Sequence, residues 1–194
     1  MSGRADMGPW VEPPLRRYGA VAMAFHWVIA VLVLANLTIG LLHESLLRGT
    51  IPLHKALGFV ILVLTVARVA WRLVHRPPPL PAGARERVLA RGVHGLLYAL
   101  MLLLPLTGWI FTSTGPRGGP FWIGGLAVPA LPLGPLAWLG GPTHEAHEIM
   151  GWAMLALVAL HLAGAARHGL VLRDGVLHRM LPGRFAAPGR RTRG

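Results

Sequence analysis

His147 and His161 stand fourteen residues apart, and the stretch GWAMLALVAL between them carries no charge. At about 100° per residue, that spacing falls within about 40° of a whole number of helical turns. Both imidazoles therefore leave one helix face, separated by roughly 21 Å along the axis at about 1.5 Å per residue. Neutral imidazole is a common metal ligand. Two such ligands at two depths of one apolar helix point to two stacked cofactors rather than one metal cluster. The chain has no Cys, which excludes thiolate-ligated haem, iron–sulfur clusters and the C-x-x-C-H attachment of c-type haem. Any haem must be held non-covalently through His or Met.

The elements that position these ligands must lie in a membrane. Of the 194 residues, 54% are hydrophobic and only 13% are charged, with a mean hydropathy of +0.54. That is too apolar for an ordinary soluble domain. The net charge of +12 does not signal nucleic acid, because the basic residues flank apolar segments instead of forming one face. Four windows are long enough to span the hydrocarbon core, at about 20 residues each: 20–42, 54–74, 93–113 and 147–168. Arg16 and Arg17 precede the first in the manner of a signal peptide. Its apolar run is too long for a signal h-region and no clear cleavage site follows, so a retained helix is expected. The expected fold is an all-α, integral membrane four-helix bundle. A segment 1–19 precedes it, 20–168 forms the bundle, and 169–194 is a basic tail.

Fifteen of the nineteen Lys and Arg fall in the N-terminus, the second connection and the C-terminal tail. Three (Arg48, Lys55, Arg117) fall on the other side, and Arg68 lies inside a span. By the positive-inside rule both termini are expected in the cytoplasm. The second connection is a Pro-rich stop, RPPPLPAG. The third, 114–146, is rich in Gly and Pro yet apolar, with Trp122 and Trp138 suited to a membrane interface. It either covers the periplasmic end of the bundle or only joins two helices.

Orientation gives each histidine a depth. His54 and His147 open their helices on the periplasmic side, while His26 and His161 lie near the cytoplasmic side. Depth therefore pairs His54 with His147, and His26 with His161. Each pair can clamp one planar haem between helices through two imidazoles. Gly58 and Gly151 each lie four residues after a ligand, on its own face. They give a macrocycle room, or else merely permit close packing. Arg68, fourteen residues after His54, shares that face near the depth of His161. A haem propionate or a quinone carbonyl would partner it, or it snorkels toward the interface with Arg72. His94, one turn before Tyr98, is a candidate quinone-site group with that tyrosine. His144 competes with His147 as a ligand. His43 lies on another face from His26. His75, His168 and His178 sit at the basic boundary.

These residues resemble the bacterial cytochrome b561 family, the four-helix di-haem b proteins of the inner membrane. The resemblance spans roughly 16–184. It is carried by RYGAVAMAFHW around His26, LHKALGFVILVLTVARVAWRL at His54, HGLLYALMLLLPLTGW in the third helix, HEIMGWAMLALVALHLAGAARH in the fourth, and a final LRDGVLHRMLPGR. It implies the same ligand set, His26 with His161 and His54 with His147, holding two haem b. It also implies either a quinone-linked electron carrier or a superoxide oxidase that passes electrons from periplasmic superoxide to ubiquinone. Bis-histidine ligation leaves no open iron position and favours outer-sphere electron transfer. Lys55, beside His54, and Arg48 would steer a superoxide anion, weakly, because these two and Arg117, the other cation on that side, are matched by Glu44, Glu145 and Glu148. The rival expectation is a membrane-anchor and electron-transfer subunit of a larger dehydrogenase or hydrogenase-type complex. A haem-free metal transporter fits less well, since its histidines should meet at one depth.

Overall fold

A computed structural model of the chain describes residues 17–78, 83–115, 118–134 and 136–181. Four long helices dominate it: α1 Ala20–Leu42, α2 Ile51–Val74, α3 Ala84–Thr114 and α4 Ala137–Ala166. All four are long and apolar enough to cross a membrane. Helix α1 packs on α2, α2 on α3 and α3 on α4, while α1 and α4 make no extended contact. The bundle is therefore open along the α1–α4 side, and His26 on α1 faces His161 on α4 across it. Val31, Val63, Val66, Ile149 and Leu162 are exposed on the outer faces, as lipid-facing side chains should be. One buried layer, Ile29, Val33, Ile61, Leu100, Met101 and Met154, fills the middle of the bundle. Met154 lies seven residues from both His147 and His161, so this apolar plug separates the two histidine levels.

Two helices start earlier than the hydropathy predicts. Helix α3 begins at Ala84 rather than near 93, because Arg85, Glu86, Arg87 and Arg91 lower the hydropathy while remaining good helix formers. Helix α4 begins at Ala137 rather than 147. The run Gly140–Gly141–Pro142 reads as a breaker, but Pro142 is the sixth residue of the helix, just past the four unpaired N–H groups, so it removes a single ladder bond near the N-terminal end. His147 consequently lies well inside α4. His94 likewise lies well inside α3.

The third connection is shorter than expected and contains the only strands among the described residues. Phe121–Ile123 (β1) pairs antiparallel with Leu126–Val128 (β2), with Ile123 opposite Leu126. The two-residue loop is Gly124–Gly125, and Gly124 has φ +58°, a conformation favoured at the first position of tight hairpin turns. The hairpin is fastened to the bundle. Phe121 meets Phe59 edge-on at 5.8 Å, and Phe59 meets Trp109 at 5.3 Å. Trp109 Nε1 donates to the Pro129 carbonyl at 3.1 Å, and Leu131 N–H donates to Ser113 Oγ at 3.0 Å. We call this the hairpin end.

The opposite, terminal end is closed by the last described residues. Helix α4 runs into a π-helical turn at Arg167–Leu172. After Arg173 (φ 50°) the chain turns back, and a short 3-10 turn at Leu177–Met180 meets the start of α1. Tyr18 N–H donates to the Arg179 carbonyl at 3.3 Å, Trp27 Nε1 to the Met180 carbonyl at 2.8 Å, and the Arg17 guanidinium to the Leu181 carbonyl. The returning segment packs closely on Gly169, where an added Cβ would sit 2.6 Å from Leu177 Cδ2 and the leucine side chain would have to shift. Asp174 holds the corner, accepting from His168 Nδ1 at 2.6 Å and from Val176 N–H at 3.1 Å. Residues 169–181 of the expected tail thus form the base of the bundle. Arg4, Arg16, Arg117 and the tail beyond 181 lie outside the described residues.

Candidate functional site

At the hairpin end, α2 and α4 bring His54 and His147 face to face, with ring centres 6.0 Å apart and planes crossed at 78°. Their Nδ1 atoms are anchored on backbone carbonyls. His54 Nδ1–H donates to Asn36 O at 3.2 Å. His147 Nδ1–H donates to Leu104 O at 3.0 Å, with Thr107 Oγ1 also at 3.2 Å. Leu104 directly precedes Pro105, which interrupts the α3 hydrogen-bond ladder. A carbonyl can only accept, so each anchored ring carries its proton on Nδ1 and leaves the Nε2 lone pair free.

Glycines on neighbouring helices make room for both rings. An added Cβ at Gly40 would lie 3.1 Å from His54 Cε1, and one at Gly108 would lie 3.1 Å from His147 Cε1. The rings and these glycines line a cavity of about 620 Å³ together with Gly58 and Gly151. At Gly151 an added Cβ would meet nothing within 4 Å, and at Gly58 only Asn36 Nδ2 at 3.6 Å. Gly58 and Gly151, singled out by their spacing, therefore line open space. Gly40 and Gly108, which touch the rings, carry no such spacing signal.

At the terminal end, α1 and α4 bring His26 and His161 together, with ring centres 6.2 Å apart and planes at 75°. Both terminal nitrogens of the Arg68 guanidinium lie 3.5 Å from His26 Nδ1. The same guanidinium lies 5.4 Å from the Tyr98 ring centre, and Arg72 lies 5.8 Å from it. His94 stands edge-on to His161 at 5.2 Å, with its Nδ1–H on Ala90 O at 2.6 Å. Arg68, His94 and Tyr98 therefore gather around this pair. The sequence reading missed the direct contacts of Arg68 with His26 and of His94 with His161.

Other histidines are engaged elsewhere. His144 packs on Phe111 at 4.6 Å and reaches Glu148 at 3.7 Å. His43 Nδ1 bonds Gly40 O at 2.8 Å, and His75 stacks on Trp71 at 3.7 Å. Lys55 lines the hairpin-end cavity. Arg48 does not line it, and its Nε donates to Glu44 O at 3.2 Å.

The paired rings fit one kind of group. Two imidazoles on opposite sides of one metal, each at about 2 Å, hold their ring centres roughly 6 Å apart. Both pairs show that separation. Among the described residues no third His, Cys, Asp or Glu joins either pair to hold a bare ion. Iron already held in a macrocycle needs only the two axial ligands.

Facing histidine pairs at two depths of an apolar four-helix bundle define a membrane cytochrome of the b type. The chain belongs to the prokaryotic cytochrome b561 family, whose model matches residues 17–183. It is 30% identical over 177 residues to cytochrome b561 homolog 2 of Escherichia coli (strain K12), covering 85% of this chain and 91% of that protein. It is 31% identical over 174 residues to cytochrome b562 of Cereibacter sphaeroides, covering 84% and 94%. It is 25% identical over 178 residues to probable superoxide oxidase CybB of Yersinia pestis, covering 86% and 97%. The protein is thus a multi-pass, haem b-binding electron-transfer protein of the bacterial inner membrane.

Proposed function

We propose that the chain carries electrons between a periplasmic donor, superoxide, and the membrane ubiquinone pool. It does so with two haem b, held by His54 with His147 and by His26 with His161. The observation that carries this reading is the pair of facing imidazoles at 6.0 and 6.2 Å. The termini face the cytoplasm, because the basic residues concentrate at that end. The hairpin end then faces the periplasm.

Bound haem supplies a reversible one-electron carrier at each level. The protein's own residues fix what surrounds it. Carbonyl-anchored Nδ1 atoms present the Nε2 lone pairs of His54 and His147. The plug of Ile29, Ile61 and Met154 excludes water between the levels. In the overall reaction, two superoxide anions each give up one electron and become dioxygen. One ubiquinone takes both electrons and two protons to become ubiquinol. A quinone head needs hydrogen-bond donors, and the terminal end offers Arg68, His94 and Tyr98. Tyr98 Oη is buried beside the Arg68 guanidinium, which can only donate to it, so its O–H is left to donate to a quinone carbonyl. The likeness to the CybB protein supports superoxide as donor.

The test is an anaerobic visible spectrum of purified protein before and after a superoxide pulse, with haem counted per chain. Two b haems that reduce with superoxide and reoxidise with ubiquinone support the reading. Two haems that ignore superoxide but reduce with quinol overturn the donor and favour a subunit coupled to a soluble dehydrogenase. The donor assignment also predicts a charge effect. Lys55→Gln with Arg48→Gln should slow reduction by superoxide a few-fold and flatten its dependence on ionic strength, because screening acts only on charges that steer. Stopped-flow rates that keep the wild-type salt slope would remove both residues from that role.

A further inference from the structure

The four axial histidines are chemically alike, but their Nδ1 atoms face opposite kinds of neighbour. At the hairpin end, both Nδ1–H groups donate to backbone carbonyls, Asn36 O and Leu104 O, and Thr107 Oγ1 lies 3.2 Å from His147 Nδ1. At the terminal end, neither ring has a carbonyl. His26 Nδ1 faces the Arg68 guanidinium at 3.5 Å, and no hydrogen bond reaches a His161 ring nitrogen among the described residues. Outer-shell partners of a ligating histidine set its basicity, and with it the electronics of the metal. An acceptor on Nδ1–H draws the proton outward, makes the ring a stronger donor and favours ferric iron. A guanidinium cannot accept. Facing the ring, it withdraws density, and its own charge favours the state that has gained an electron.

Building on the two-haem assignment above, we propose that Arg68 and Thr107 hold the two haem sites at different reduction potentials. The Arg68 site is the higher. An electron arriving at the hairpin end then moves downhill to the terminal end, where the quinone donors gather. Lys55 does not cancel the difference. It lines the hairpin-end cavity together with Glu44 and Glu148, so two carboxylates outweigh its single positive charge, whereas no carboxylate pairs with Arg68 among the described residues.

The test is a spectroelectrochemical titration of the haem-loaded protein, after haem has been counted per chain. Wild type should show two one-electron waves whose reduction equilibria differ at least tenfold, about 59 mV for one electron. Arg68→Gln should lower the upper wave by at least tenfold and leave the lower in place, while Arg68→Lys restores most of it. Thr107→Val, close in shape, should raise the lower wave by a smaller factor, because the Leu104 carbonyl remains. The two variants therefore move different waves in opposite directions, which loosened packing would not do. If Arg68→Gln fails to retain haem, Thr107→Val and Arg68→Lys still decide the matter. A single merged wave in wild type, or variants that shift both waves together, would overturn the proposal. One haem per chain would instead overturn the underlying two-site reading.

Discussion

Replacing His147 with alanine should yield protein with half the wild-type haem per chain, its remaining haem still reducible by dithionite. The expectation follows from the geometry of α4. His147 and His161 belong to one continuous helix, Ala137–Ala166, but each faces a different partner, His54 at 6.0 Å and His26 at 6.2 Å. On the proposed two-haem reading, loss of one ring removes one of the two imidazoles that would hold haem at the hairpin end and leaves the other pair, beyond the Ile61–Met154 plug, untouched. His161→Ala should mirror the result and spare the other haem. The two remnants should differ, since one retains Arg68 beside its ligand and the other does not. Haem content by pyridine haemochrome, with circular dichroism to confirm helix content, reads both variants. Full haem content in His147→Ala would mean that another side chain replaces it. His144, three residues earlier in the same helix, is the one to check. Loss of both haems from a folded variant would mean that the sites do not form independently.

Gly151→Leu should empty the hairpin-end haem site without unfolding the haem-free protein. A Cβ there meets no protein atom within 4 Å, so in the absence of haem a larger side chain enters the cavity at little cost. With haem present it occupies space that the macrocycle requires, and overpacking in a filled site costs about 1–3 kcal/mol or more. That corresponds to a loss of haem affinity of roughly tenfold or greater. Gly108→Val should behave differently. Its Cβ would already press the His147 ring at 3.1 Å, so the variant displaces the ligand whether or not haem is bound. Thermal melts of the haem-free and haem-loaded forms separate the two cases. Equal destabilisation of both forms by Gly151→Leu would show that the cavity is not where a large planar group binds.

The four spans and the two histidine levels were legible because both depend on periodicity along one segment. Uninterrupted apolar runs mark helices, and a fourteen-residue interval marks one face. The early start of α4 was hidden by Gly140, Gly141 and Pro142, whose local preference is overridden where they sit near a helix N-terminus. The hairpin was hidden because its strands are three residues each, too short for an alternation to register. Gly40 and Gly108 were not legible as ring contacts. That role depends on how α1 and α3 are rotated against α2 and α4, which no single-helix pattern encodes. Arg68 was legible as a buried charge at the right depth. Its choice of His26 Nδ1 was not, because that distance is set by the packing of α1 on α2.

The returning segment at the terminal end also sets an order of assembly. Trp27 bonds a carbonyl 153 positions later and Arg17 one 164 positions later. At about 5–20 residues per second, these partners leave the ribosome roughly ten to thirty seconds after α1 enters the bilayer. The hairpin end gains all its walls once α4 has been threaded, whereas the other end stays ajar until the last turn folds back. Nascent chains arrested before Leu177 should therefore present a finished hairpin end and an open terminal end, which on the proposed two-haem reading orders the two insertions in time.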